Sequence, residues 1–150
     1  LDTPDTVADF WTLTTDPTGG WDPDDVASGP TVIVVPLPDA DRYTRRYAEP
    51  DKIAFGMDRP ERWPVKFWDI DAAMAAMLML LAAVDSGIGG WFFGITHGER
   101  VLLDRFHVPA GLRPIGILGF GYRAEDEHPA GSWVGRRRRP LAEQIHRNGW

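Results

Sequence analysis

Residues 69–94 read Asp-Ile-Asp-Ala-Ala-Met-Ala-Ala-Met-Leu-Met-Leu-Leu-Ala-Ala-Val-Asp-Ser-Gly-Ile-Gly-Gly-Trp-Phe-Phe-Gly, and this stretch decides the fold. From Ala72 to Val84 there is no charged residue, and nearly every side chain favours helix. Thirteen such residues fall short of the roughly 20 that a membrane span needs. A helix that is apolar all round must then be buried on all sides. In so short a chain this predicts one face on a sheet and another on a second subunit. Asp69 and Asp71 sit where caps belong, and Gly87 is suited to a left-handed stop. Beyond it, Trp91-Phe92-Phe93-Gly94-Ile95 reads as a short strand flanked by Gly89-Gly90 and Gly94.

Working outward, a second strand is predicted over Ile115–Tyr122, punctuated by Gly116, Gly119 and Gly121. A third, Thr31–Val35, is a β-branched run expected to be buried on both faces and stopped by Pro36 and Pro38. Amphipathic helices are predicted after Thr3-Pro4 (Val7, Phe10, Trp11), over Asp39–Ala48 with Tyr43 and Tyr47 four apart, and over Glu99–Phe106. Glu49–Phe67 is a long connection containing Phe55, Met57 and Trp63, the kind of segment that serves as a lid or binding loop. Helices alternate with a few strands, with no repeat and no internal boundary. The fold class is therefore α+β: a three-layer αβα sandwich with a small mixed sheet and a long buried central helix.

Composition bounds the chemistry. The 150 residues contain no cysteine, which excludes disulfides, thiolate metal sites and thiol nucleophiles. A chain of this length buries about 70% of its unfolded surface and needs no staple. The net charge of -6 argues against a general nucleic-acid binder. Seven aspartates (Asp2, Asp5, Asp9, Asp16, Asp22, Asp24 and Asp25) crowd the first 25 residues and read as a solvated acidic face. Four histidines, His97, His107, His128 and His146, lack the paired spacing of a metal site. No phosphate loop, nucleophile elbow or zinc-protease motif occurs. Two features remain. Small residues beside flat ones in 87–94 let a planar ligand lie against backbone. Arg136-Arg137-Arg138-Arg139 fits a solvated face, a nucleic-acid patch or a bidentate phosphate clamp.

Taken in order, Val32–Val35, Asp69–Ala73 with its apolar helix, Gly87–Gly94, Arg113-Pro114-Ile115-Gly116-Ile117, Gly119–Tyr122 and Arg137–Leu141 make a series. That series resembles the C-terminal two-thirds of the FMN-dependent nitroreductase family. The resemblance implies an αβα homodimer joined through helix 70–86, with FMN at the interface. FMN would take hydride from NAD(P)H and pass electrons to a small nitroaromatic, quinone-like or similar acceptor. It implies flavin contacts at Trp91, Phe92, Phe93 and Gly94, where a backbone amide can bond flavin N5. Phosphate contacts would come from Arg137 and Arg139, and a substrate pocket from Phe55, Trp63 and Trp68. No side chain needs to act as nucleophile or general acid, and no metal, nucleic acid or membrane is implied. The location implied is cytoplasmic. The family's Arg-x-Ser-x-Arg-like and Ser-x-x-Asn-x-Gln-Pro-Trp-like motifs have no counterpart. Residues 1–150 are thus expected to be a single domain lacking its N-terminal part. The alternative function is a non-catalytic flavin- or ligand-binding dimer of the same fold.

Overall fold

The computed structural model describes residues 1–19, 29–124 and 134–149. Helix α1 (Pro4–Thr14) begins where the sequence says it must. Thr3 and Thr6 cap each other's backbone amides reciprocally, and Pro4 occupies the first turn. Its apolar stripe, Val7, Phe10 and Trp11, is buried. Strand β1 (Val32–Val34) is shorter than the β-branched run, and only Ile33 is fully buried in it. Helix α2 (Ala40–Tyr47) is capped by Asp39, whose carboxylate accepts the Arg42 amide at 2.8 Å. The connection that follows carries two 3₁₀ turns, Ile53–Phe55 and Pro60–Arg62. Helix α3 (Phe67–Asp85), strand β2 (Gly89–Phe93), helix α4 (Glu99–Arg105), strand β3 (Ile117–Gly121) and a 3₁₀ turn at Leu141–Glu143 complete the described elements.

The three strands stand in the order β1-β3-β2, and both pairings are antiparallel. The expected mixed sheet is corrected here for the described residues, because strand composition carries no information on direction. The register sets Ile33 opposite Gly119 and Phe93 opposite Ile117, on one face of the sheet. On that face they meet Val7, Phe10, Trp11 and Leu102 of α1 and α4 in a single cluster. Leu118, on the opposite face, is fully buried, and α3 packs there against β2 and β3. The αβα layering expected from the sequence is therefore present. Arg105 and Asp9 join the two outer helices at 2.6 Å, an exposed pair worth well under about 1 kcal/mol. At the outer edge of β1, Leu1 and Ile33 exchange two backbone hydrogen bonds of 2.8 and 2.9 Å.

Helix α3 departs from expectation in three ways. It starts at Phe67, with Lys66 in the capping position and no side-chain cap, so Asp69 and Asp71 lie inside it. Asp69 falls in the first turn, where its charge favours the helix dipole. The helix is 19 residues long with a mean hydropathy of 1.8, long and apolar enough to cross a membrane by length and composition alone. Nor is it buried all round: only Trp68, Ala76 and Ala83 are buried. Met74, Met77, Leu78, Leu81 and Val84 are 55 to 71% exposed, a continuous stripe at i, i+3, i+4, i+7 and i+10. Its C-terminus behaves as read: Gly87 takes φ +71°, and Ile88 and Gly87 donate to Ala83 and Val84.

Candidate functional site

Strand alternation separates the aromatic residues of β2. Trp91 and Phe93 project to the α1 face, whereas Phe92 projects to the α3 face. Trp91 and Phe93 stack at 4.2 Å between ring centroids, and both lie nearly parallel to Trp11, at 18° and 13°. Beside this stack lies a cavity of about 290 Å³ between the end of α1 and the end of β2, bounded by Asp16, Gly94 and Thr96 as well. Gly94 is open, with nothing within 4 Å of the place a Cβ would occupy. The Trp11 indole N–H is buried without a hydrogen-bond partner among the described residues.

Phe92, 46% exposed, owes its position to a glycine. A Cβ on Gly116 would stand 2.4 Å from Phe92 Cζ, and Gly116 itself has φ +153°. Gly116→Ala should therefore cost about 1–3 kcal/mol in urea unfolding by forcing the ring away. Adding Phe92→Ala should recover much of that loss. Strict additivity of the two changes would show that the ring and the glycine are not coupled.

Of the three residues expected to form a substrate pocket, two come together. Trp63 and Trp68 lie 6.2 Å apart, edge to face, in a cluster completed by Tyr43, Tyr47 and Phe67. Trp63 is pinned by its indole donating to the Met57 carbonyl at 2.8 Å. A cavity of about 560 Å³ opens beside Trp68, between Arg42, Tyr43, Tyr47 and Asp71. Tyr43 donates to Asp71 at 3.0 Å, and burial, then that carboxylate, pushes its phenol above the usual range. Phe55 stays outside, 65% exposed, with the Lys52 ammonium 5.3 Å over its ring.

Comparison with protein-family models finds no match, and no curated protein matches. Solved structures do. The nitroreductase family protein from Streptococcus pneumoniae TIGR4 superposes with a TM-score of 0.65 over 97% of this chain and 76% of its own, at 18% identity. The chain has the nitroreductase fold. A Bacteroides fragilis NCTC 9343 protein assigned as an oxidoreductase gives a TM-score of 0.57 over 99% of this chain, at 16% identity. A nitroreductase family protein from Clostridium difficile 630 aligns over 55% of this chain with 26% identity and a TM-score of 0.43. The chain spans 53% of the Bacteroides protein and 46% of the Clostridium protein.

On this nitroreductase fold the residues singled out from sequence fall into three places. Trp91, Phe93 and Gly94 share one cavity, and Phe92 lies on the other side of the same strand. Trp63 and Trp68 lie in the α2–α3 cluster. Arg137 and Arg139 are exposed, make no ion pair among the described residues, and line neither cavity. The Arg139 carbonyl accepts from Gln144 at 2.8 Å. Asp22, Asp24, Asp25 and His128 lie outside the described residues. Sequence reading missed Trp11 and Asp16 as cavity walls and Tyr43, Tyr47 and Asp71 as partners of Trp68. The four-residue spacing of the two tyrosines was the available signal.

Proposed function

We propose that the chain belongs to a flavin-dependent oxidoreductase. In this reading it transfers hydride from NAD(P)H through FMN to nitroaromatic, quinone or similar acceptors, as a cytoplasmic homodimer joined through helix 70–86. The observation that carries this reading is the nitroreductase fold, found over 97% of the chain in one comparison, with the glycine-flanked aromatic strand at its sheet edge. The fit to a flat cofactor rests on Gly94. Its bare backbone stands open at the end of a strand whose Trp91 and Phe92 rings are 44 and 46% exposed. A ring system can approach that peptide without displacing a side chain.

FMN, when bound, supplies the hydride and electron transfer. The protein's own task is binding and orientation. Gly94 leaves the peptide accessible, and a backbone amide of the Trp91–Gly94 segment would be the donor to flavin N5. Arg137 and Arg139, exposed and without an ion pair among the described residues, would be the cations for the phosphate, each through paired N–H donors. Trp63 and Trp68, with Tyr43 and Tyr47, form the wall assigned to the acceptor.

Anaerobic addition of NADPH or NADH to the chain loaded with FMN should bleach the oxidised-flavin absorbance, and a quinone should restore it. Bound flavin that neither nucleotide reduces would point instead to a non-catalytic flavin-binding dimer.

A further inference from the structure

We propose that Tyr43 and Asp71 are a positioning pair for the electron acceptor, their hydrogen bond fixing the aromatic wall against which a flat acceptor lies. The proposal rests on the reading of Trp63 and Trp68 as that wall. Tyr43 is the ring through which α2 reaches both tryptophans. Its centroid stands 5.2 Å from Trp63 at 79° and 6.1 Å from Trp68 at 65°, edge to face in each case. Tyr47, one turn further along α2, lies nearly parallel to it at 6.4 Å.

The tip of the ring is held separately. The Tyr43 hydroxyl donates to Asp71 Oδ2 at 3.0 Å, across 28 residues of chain. No other hydrogen bond or ion pair joins α2 to α3 among the described residues. Asp71 follows Trp68 by three residues, so both stand on one face of α3. The ring is thus fixed at its edge by tryptophan and at its tip by the carboxylate. Apolar contact alone has no direction, whereas the hydrogen bond sets one. Burial, and then Asp71, push the phenol above its usual range, so Tyr43 stays the protonated donor at neutral pH.

Tyr43, Asp71 and Trp68 all border the cavity of about 560 Å³. Of the other charged groups there, Arg46 grips Asp51 at 2.8 and 2.9 Å, and Asp39 accepts the Arg42 amide. Arg42 makes no ion pair among the described residues. None of these three bonds to Tyr43, so Asp71 alone orients the hydroxyl. Freeing the ring would shift the wall of the cavity, and a displacement of about 1 Å is enough to slow a transfer.

The test starts from the FMN-loaded chain, reduced with one equivalent of dithionite and mixed anaerobically with 1,4-naphthoquinone or with ferricyanide. The quinone takes a hydride and a proton and must lie flat. Ferricyanide takes one electron at a time, two ions per flavin, and needs no aromatic wall. Tyr43→Phe and Asp71→Leu should each raise the naphthoquinone concentration for half-maximal reoxidation about three- to tenfold. The ferricyanide rate should not move. The double variant should be no worse than either single one. Asp71→Asn still offers an oxygen to the hydroxyl and should stay within about twofold of wild type. Calorimetric titration of the oxidised chain with naphthoquinone should show the same losses without turnover. Unchanged quinone constants in the single variants, additive losses in the double one, an Asp71→Asn loss equal to that of Asp71→Leu, or equal losses with ferricyanide would each overturn the proposal. A wild type that binds naphthoquinone but is not reoxidised by it overturns the catalytic reading alone, and the titration still decides the pair. A wild type that binds no naphthoquinone overturns both.

Discussion

Gly98→Ala should destabilise the chain by about 3–5 kcal/mol, lowering the melting temperature by about 10 °C. Gly98 caps α4 with φ +70°, a conformation that costs a side chain about 1–3 kcal/mol. Its added methyl would also stand 1.8 Å from the Leu13 carbonyl oxygen and 3.0 Å from the Leu13 carbonyl carbon. Both are backbone atoms near the end of α1, so no rotamer change relieves the overlap, and overpacking adds about 1–3 kcal/mol. The α1–α4 layer that buries Val7, Phe10 and Leu102 must then open. Gly111→Ala is the control: its φ is +94°, but nothing lies within 4 Å of the new methyl. It should show the conformational cost alone. If the two variants unfold at the same denaturant concentration, the close approach of Gly98 to α1 is not a constraint on the fold.

The second large effect concerns the open face of α3. Leu78→Lys with Leu81→Lys should convert a dimer into a monomer, weakening association a thousandfold or more. Each leucine is more than half exposed in the single chain, so the substitution costs the isolated fold little. In a symmetric pair the same patch meets itself, and both leucines are counted twice. At about 1.5–3 kcal/mol for each buried leucine, the loss reaches about 6–12 kcal/mol before any charge is desolvated. Sedimentation velocity of wild type and variant reads this directly. A wild type that is monomeric at micromolar concentration, or a variant that still dimerises, would remove helix 70–86 as the subunit contact.

How far the sequence reached depends on whether the determinant was local. Thr3-Pro4, Asp39 and Gly87 act on atoms a few residues away, and the helix boundaries they predict are found. The start of α3 was misplaced because its anchor is distant. Trp68 is held by Tyr43 of α2, and Asp71 receives the Tyr43 hydroxyl across 28 residues. Two carboxylates that look like caps are thus a dipole charge and a hydrogen-bond acceptor. The same holds for the site. Glycines beside aromatics marked 87–94, yet nothing in residues 1–19 signalled that Trp11 would lie parallel to Phe93 or that Asp16 would border the same cavity. Full burial of α3 was inferred from its composition, and a single chain does not supply the cover.

The account stands on flavin binding by this chain. Titration of the full chain with FMN, followed by quenching of flavin fluorescence, tests it most directly. The prediction is saturable binding, with Arg137→Ala and Arg139→Ala each weakening it by about tenfold to a hundredfold, from about 1.5–3 kcal/mol per charged hydrogen bond. Saturable binding that is indifferent to both arginines would move the phosphate elsewhere. No saturable binding at all would contradict the central claim.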